Sequence, residues 1–374
     1  MLVRHATAYM DGRFCAGIDL RLMHGKVQEI GHALTKGLYE EEIDLAGDYL
    51  LPGFVDVHIH AFRGHDTMQG EAAIRQMAKE LFREGVAAFL PTTMSASLED
   101  TRAALEGVRA VMERPDARAA KVLGAHMEAP FLNPAKGGAQ RSEFLRAPDM
   151  AAFMDMVGGC PERARIITVA PELPGAEALI REVSGKGVVV SVGHTAATAE
   201  ETHLAADWGA THVTHTFNAQ SPLHHRAPGV PGAALTDERL YAEFIADGVH
   251  LHPDILRLLI RAKGPERAVA VTDAMEAAGM PDGRYALGGQ EVFVRGAEAR
   301  LKDGTLAGSV LTMRQALHNL IHRFGVVPEA AVRMTTQTPA ESIGEGVLGR
   351  LTVGLPAPLT RWNQAWEMVA VLGG

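Results

Sequence analysis

His58 and His60 stand one residue apart, as His-Ile-His, at the end of a short apolar run from Gly53 to His60. Alternate residues of a strand share a face, so a strand here would aim both imidazoles the same way. Glu128, His194 and Asp273 each close another apolar run, and His215 sits within one. Imidazole and carboxylate together suit zinc, iron or manganese. Four histidines and two carboxylates suffice for two divalent ions sharing a bridging carboxylate, or for one ion with a general base left over. Each residue alone is a weak signal, because a histidine at a strand end is more often structural. The weight lies in six such residues falling at the same end of five runs.

What must position them is a regular alternation of strand and helix. Eight apolar runs follow one another: Gly53–His60, Ala87–Met94, Val122–Glu128, Arg165–Ala170, Val188–His194, Thr211–Phe217, Glu243–Asp247 and Ala268–Asp273. Helical patterns such as Glu71–Glu84, Ser97–Glu113 and Ala197–Trp208 lie between them. This alternation predicts a mostly parallel sheet, and eight units close most naturally into a (β/α)8 barrel of the TIM type. The C-terminal ends of the strands then form the active face, where the six residues would converge. An open doubly wound sheet is the alternative, but no GxGxxG turn follows the first run. The 374-residue chain has room for a barrel and an appendage. The barrel is read over 53–344. Residues 1–52, with turns at Asp11-Gly12 and His24-Gly25, read as short strands. They are expected to pair with the tail, 345–374, in a small β-sandwich domain built from both chain ends. Between barrel and tail, Arg284–Leu306 reads as a hairpin, Leu311–Phe324 as a helix, and Pro328 to about Ile343 as another.

Composition narrows the partners. A formal net charge of -9 argues against a nucleic-acid binder, though not against a small phosphorylated ligand. No apolar run approaches the ~20 residues of a membrane span, and the first residues do not resemble a signal peptide. Cys15 and Cys160 form no CxxC pair, which predicts a reducing, cytoplasmic setting. The long loops after the sixth and eighth runs, 221–232 and 284–306, predict a homodimer.

With these residues in view, the chain resembles the amidohydrolase superfamily, and within it the deacetylases of phosphorylated amino sugars. The likeness covers nearly the whole length: LPGFVDVHIH (51–60), GAHMEAPFLNPAKGGAQ (124–140), SVGHT (191–195), THTFNAQSP (214–222), IADGVH (245–250), VTDA (271–274) and GTLAGSVLTM (304–313). The resemblance implies hydrolysis of the acetyl amide of N-acetylglucosamine 6-phosphate. It implies that Glu128, His194 and His215 hold the main metal. His58, His60 and Asp273, with the shared Glu128, would form a second position, and Asp273 would also be the acid/base. It implies that Asn218, Ala219 and Arg226 contact the sugar phosphate. Asp247, Gly248, Val249 and His250 would line the sugar pocket, with His250 touching substrate. Ala139, Gln140, Leu306, Ala307 and Gly308 would close over it. Gln140 stands where some relatives have histidine; its amide could still donate to the acetyl carbonyl.

Rival readings are a related N-acyl or N-acetylgalactosamine phosphate substrate, a cyclic-amide hydrolase or deaminase, and a noncatalytic barrel. Many cyclic-amide hydrolases bridge two metals with a modified lysine after the fourth strand. Here that run ends Val169-Ala170-Pro171-Glu172, with no lysine. A noncatalytic barrel has little need for all six polar positions.

Overall fold

In the computed structural model, which describes residues 1–355 and 358–373, the eight runs become eight parallel barrel strands. They are Phe54–Ile59, Val86–Thr93, Ala125–Met127, Ala164–Val169, Val189–Val192, Ala210–Val213, Tyr241–Ile245 and Ala268–Val271. Each is laddered to the next, in registers such as Ile167 opposite Val190 and Val169 opposite Val192. Their near-continuous Val, Ile, Leu and Ala content follows from burial on both faces, inward against the barrel core and outward against helices. All six residues of Phe54–Ile59 are buried. The helices carry their own start signals. Ser97 accepts the Asp100 N–H at the head of Leu98–Glu113, and Thr198 with Glu201 forms a capping box before Ala199–Trp208.

Between the first and eighth strands the barrel is tied at its C-terminal end. The Asp273 N–H donates to the His58 carbonyl at 2.8 Å, and the His60 and Ala61 N–H groups both donate to the Ala274 carbonyl at 3.0 Å. Lower down, Thr272 Oγ1 donates to Asp56 at 2.6 Å. Burial pushes the Asp56 carboxyl up to about 7. The seam therefore joins the strand carrying His58 and His60 directly to the residue before and after Asp273.

Three details differ from the sequence reading. The third run is split: Lys121–Val122 pairs with Ala88 and Phe89 of the second strand, and Ala125–Met127 resumes higher up, beside Thr92 and Thr93. Gly124 between them has φ +127°, a conformation an L side chain rarely adopts, and a Cβ there would lie 2.9 Å from that of Arg165. Residues 283–301 form a three-stranded antiparallel sheet, Gly283–Leu287, Gln290–Arg295 and Glu298–Leu301, rather than a two-stranded hairpin. It packs Leu287, Val292, Val294 and Ala299 against Met94, Met275 and Ala307. The helix from Pro328 breaks at Thr336 (φ -131°, ψ -75°) into Pro328–Thr335 and Gln337–Ser342.

Both chain ends build a second sheet, as expected. Leu359–Trp362 pairs antiparallel with Tyr49–Pro52, Met368–Leu372 adds to its outer edge, and Leu2–Met10 links to Arg13–Met23 and Lys26–Gly31. These strands make one seven-stranded sheet with Glu42–Asp44, which branches from Leu2–Met10 beside Tyr49–Pro52. Val3, Leu20, Leu22, Leu50 and Leu359 give it a core separate from that of the barrel. Among the described residues, no helix is long and apolar enough to cross a membrane.

Candidate metal centre and active site

All six ligand candidates meet at the C-terminal mouth of the barrel, and all are buried. His60 and Glu128 each directly follow the last residue of their strand. His194, His215 and Asp273 each stand two residues beyond theirs, which end at Val192, Val213 and Val271. All three take positive φ, at +47°, +28° and +50°. A non-glycine residue in that region costs about 1–3 kcal/mol. Here the strain turns each side chain from the strand direction back over the mouth. Gly308, with φ +61°, allows its loop to pass close: a Cβ there would lie 3.0 Å from the Asp273 carbonyl.

Glu128 sits at the centre. Its Oε1 lies 3.1 Å from His194 Nε2 and 3.1 Å from His215 Nε2, and those two nitrogens are 3.1 Å apart. Its Oε2 lies 3.3 Å from His60 Nε2. Asp273 Oδ1 is 3.2 Å from His60 Nε2 and 3.5 Å from His58 Nε2. Two groups result, Glu128–His194–His215 and His58–His60–Asp273. An ion with bonds of about 2.0–2.1 Å places tetrahedral ligand atoms about 3.3 Å apart; the separations are 3.1 Å in the first group and 3.2 and 3.5 Å in the second, close to that value. Among the described residues, buried His58 Nε2 has no hydrogen-bond partner, as a nitrogen reserved for an ion would be. The donor set thus fits a divalent metal, with ligands for a second.

Electrostatics agree. Burial opposes ionisation of Glu128, but His58 and His194 outweigh it and hold the carboxyl well below its usual range. Asp273 is likewise lowered, against burial, by His58 and His60. Burial works against charge on His60 as well, yet its bonds to Asp273 and Glu128 push it up to about 9. A histidine must lose its proton to ligate. Metal uptake near pH 7 should therefore release protons, and affinity should rise as pH climbs toward 9. Calorimetric titrations of metal-free protein in two buffers of different ionisation enthalpy check this. Heats independent of the buffer would contradict it.

Above the ligands opens a cavity of about 510 Å³, within the range of small-ligand sites. It is lined by the expected Ala139, Gln140, Asn218, Ala219, His250, Leu306 and Gly308, together with His60, Glu128, His194, His215 and Asp273. Other expected residues lie elsewhere. Ala307 is fully buried, its N–H tied to the Ala299 carbonyl, because it packs under the three-stranded sheet. Asp247 is buried, and it does not line this cavity, nor do Gly248 and Val249. It accepts the Val249 and His250 N–H groups and lies 2.6 Å from His250 Nδ1. It orients His250 rather than lining the pocket itself. Arg226 is exposed on a tight loop closed by a His224–Ala227 bridge, with its guanidinium 2.7 Å from His225, and it does not reach the cavity of its own chain. Gln140 is already committed: its amide donates to Glu128 Oε2 at 2.6 Å while its oxygen accepts the Ser95 N–H. It orients the central carboxylate, and its amide nitrogen also lies 3.6 Å from Met94 Sδ.

The structure also adds residues that the sequence reading passed over. Lys136 and Arg300 line the cavity as its cations. Beneath the ligands, His126 and Glu243 are fully buried inside the barrel. Inward alternation could have found His126, two residues before Glu128 on the same strand face, and a lone carboxylate in an apolar run could have found Glu243.

Imidazoles and carboxylates gathered at the mouth of a parallel barrel, with room for a small ligand above them, define a metal-dependent barrel hydrolase. The amidohydrolase family profile matches residues 49–371, and the chain belongs to that family. An N-acetylgalactosamine-6-phosphate deacetylase from Escherichia coli O157:H7 is 40% identical over 90% of this chain and 88% of its own. An N-acetylglucosamine-6-phosphate deacetylase from Bacillus subtilis is 36% identical over 93% and 89%. The solved N-acetyl-D-glucosamine-6-phosphate deacetylase of Mycobacterium smegmatis, in complex with N-acetyl-D-glucosamine-6-phosphate, superposes with a TM-score of 0.90 at 30% identity over 100% of this chain and 97% of that one.

Proposed function

We infer that this chain removes the N-acetyl group of N-acetylglucosamine 6-phosphate, giving glucosamine 6-phosphate and acetate. The observation that carries this is Glu128, whose two oxygens face two different ligand groups on the floor of a cavity of sugar-phosphate size. Relatives that are deacetylases by name support it. Glu128, His194 and His215 would hold a divalent ion, with His58, His60 and Asp273 available for another; a bound ion would supply an acidified water and a Lewis acid for the amide carbonyl. The ion is zinc, iron or manganese on the chemistry of these donors.

Asp273 does the proton work. Held ionised, it accepts a proton from the attacking water and returns it to the departing amine nitrogen. His250 is set to steady the developing negative charge on the carbonyl oxygen. Burial disfavours its charged form, but the bond to Asp247 outweighs this and raises its pKa. With Nδ1–H engaged by Asp247, a protonated Nε2 is left to donate into the cavity. Asn218 and Ala219 shape the sugar side.

Lys136 and Arg300 are the cations placed to meet the phosphate. Each is partly engaged, Lys136 Nζ with the Gln220 carbonyl at 3.0 Å and Arg300 with Glu298 at 2.7 Å. A charge-assisted bond contributes about 1.5–3 kcal/mol, and about 1.4 kcal/mol is tenfold. Arg300→Ala should therefore cost about ten- to a hundredfold in kcat/KM, mostly through KM, on the phosphorylated sugar. The loss on the same sugar without phosphate should be much smaller. Equal losses on both would remove Arg300 from phosphate binding. Arg226→Ala, measured in parallel, tests whether the exposed loop contributes.

The relative at 40% identity is named for the C4 epimer, so both N-acetylhexosamine 6-phosphates belong in the assay. We assign the chain to the cytoplasm, since both cysteines are free, and divide it into units at 52/53 and 344/345. We also propose a homodimer. The three-stranded sheet at 283–301 has its own core, so the support rests on the exposed loop 222–227, where Leu223 is 43% exposed. Sedimentation at micromolar concentration should give twice the chain mass; a monomer would reject the pairing.

A further inference from the structure

Beneath the ligand groups lies a third cluster, His58, His126 and Glu243, fully buried in the barrel interior. Its hydrogen bonds show that it is not another ion site. His126 uses both ring nitrogens, Nδ1 toward the Val57 carbonyl at 3.2 Å and Nε2 toward Thr168 Oγ1 at 2.8 Å. His58 Nδ1 lies 3.1 Å from Glu243 Oε2, so its Nε2 is the nitrogen turned toward Glu128 and Asp273. The same Glu243 oxygen accepts the backbone N–H of His215 at 3.3 Å. The other, Oε1, is buried without a hydrogen-bond partner among the described residues.

A carboxylate removed from water is unfavourable unless it is bonded or paired. Among the described residues, the Glu243 carboxylate takes hydrogen bonds from His58 and His215, one in each ligand group. Ligating histidines commonly give their second ring N–H to a carboxylate, which fixes tautomer and ring orientation and raises basicity. We propose that Glu243 is a positioning residue for the metal centre: it holds His58 with Nε2 facing the ions and thereby sets how tightly the second position binds. The inference rests on the reading of His58 as a metal ligand. Glu243 itself lies one layer below the cavity and does not line it.

The test is zinc titration of metal-stripped protein against a competing chelator, on wild type, His58→Ala, Glu243→Gln and Glu243→Ala. Wild type should take up two ions and His58→Ala one. Glu243→Ala should weaken the second ion about 10- to 100-fold and the first much less. Glu243→Gln keeps an acceptor oxygen and the side-chain volume, so it should fall between and still report if the alanine variant does not fold. A purely structural role would lower the melting temperature of the metal-free variants without separating the two ions. Wild-type affinity for both ions in the Glu243 variants overturns the proposal. Uptake of a single ion, unchanged by His58→Ala, overturns it too but leaves the hydrolase reading standing. Uptake of no ion overturns both.

Discussion

Asp273→Asn should lower kcat by about 10²- to 10⁴-fold, the usual contribution of a positioned acid/base, while substrate analogues and the main-site ion still bind. The substitution keeps the shape of a side chain that sits 3.2 Å from His60 and 3.5 Å from His58. It removes the ability to accept a proton from water and pass it to the leaving nitrogen. Asp273 also caps the seam between the first and eighth strands through its backbone, and an asparagine leaves those bonds intact. The melting temperature should therefore change little while turnover collapses. Steady-state kinetics beside thermal melts of the same preparation check both parts. Near-normal turnover would remove Asp273 from the chemistry.

Glu128→Gln should have the next largest effect, and should act on metal content before it acts on kinetics. One carboxylate faces His194 and His215 through Oε1 and His60 through Oε2, so both ion positions lose a charged ligand together. Four buried imidazoles would then share the mouth with Asp273 as the one remaining carboxylate of the ligand set. His194→Ala and His215→Ala should also empty the main site. His58→Ala should cost less, because it removes a ligand of the second position alone. Elemental analysis of protein purified without chelator ranks the four variants. If His58→Ala strips all metal while His194→Ala and His215→Ala retain it, the assignment of the two positions is reversed.

Much of this site was legible because barrel geometry converts strand ends into neighbours. His58, His60, Glu128, His194, His215 and Asp273 were each visible as a polar residue closing or interrupting an apolar run, and the fold supplied their convergence. The runs were legible because strands buried on both faces read as continuous apolar segments. What escaped depends on contacts that a linear pattern does not encode. Ala307 and Asp247 sit in segments that reach the cavity, but the direction of their side chains is decided by packing under the three-stranded sheet and by the turn around His250. Arg226 follows Asn218 and Ala219 closely in sequence, yet its loop folds outward. The turn at Gly124 interrupts the third run without any change in hydropathy. His126 and Glu243 were overlooked because attention to strand ends favours the mouth of the barrel over the layer beneath it. In that layer a polar side chain is informative because burying it needs a reason.

Acetate release from N-acetylglucosamine 6-phosphate, by protein stripped of metal and then reloaded with one divalent ion at a time, tests the central claim most directly. The metal-free protein should be inactive. Zinc, iron or manganese should restore stoichiometric release of acetate and glucosamine 6-phosphate, with the galactosamine epimer and unphosphorylated N-acetylglucosamine run alongside. Metal-loaded, folded protein that releases no acetate from either phosphorylated epimer would contradict the account.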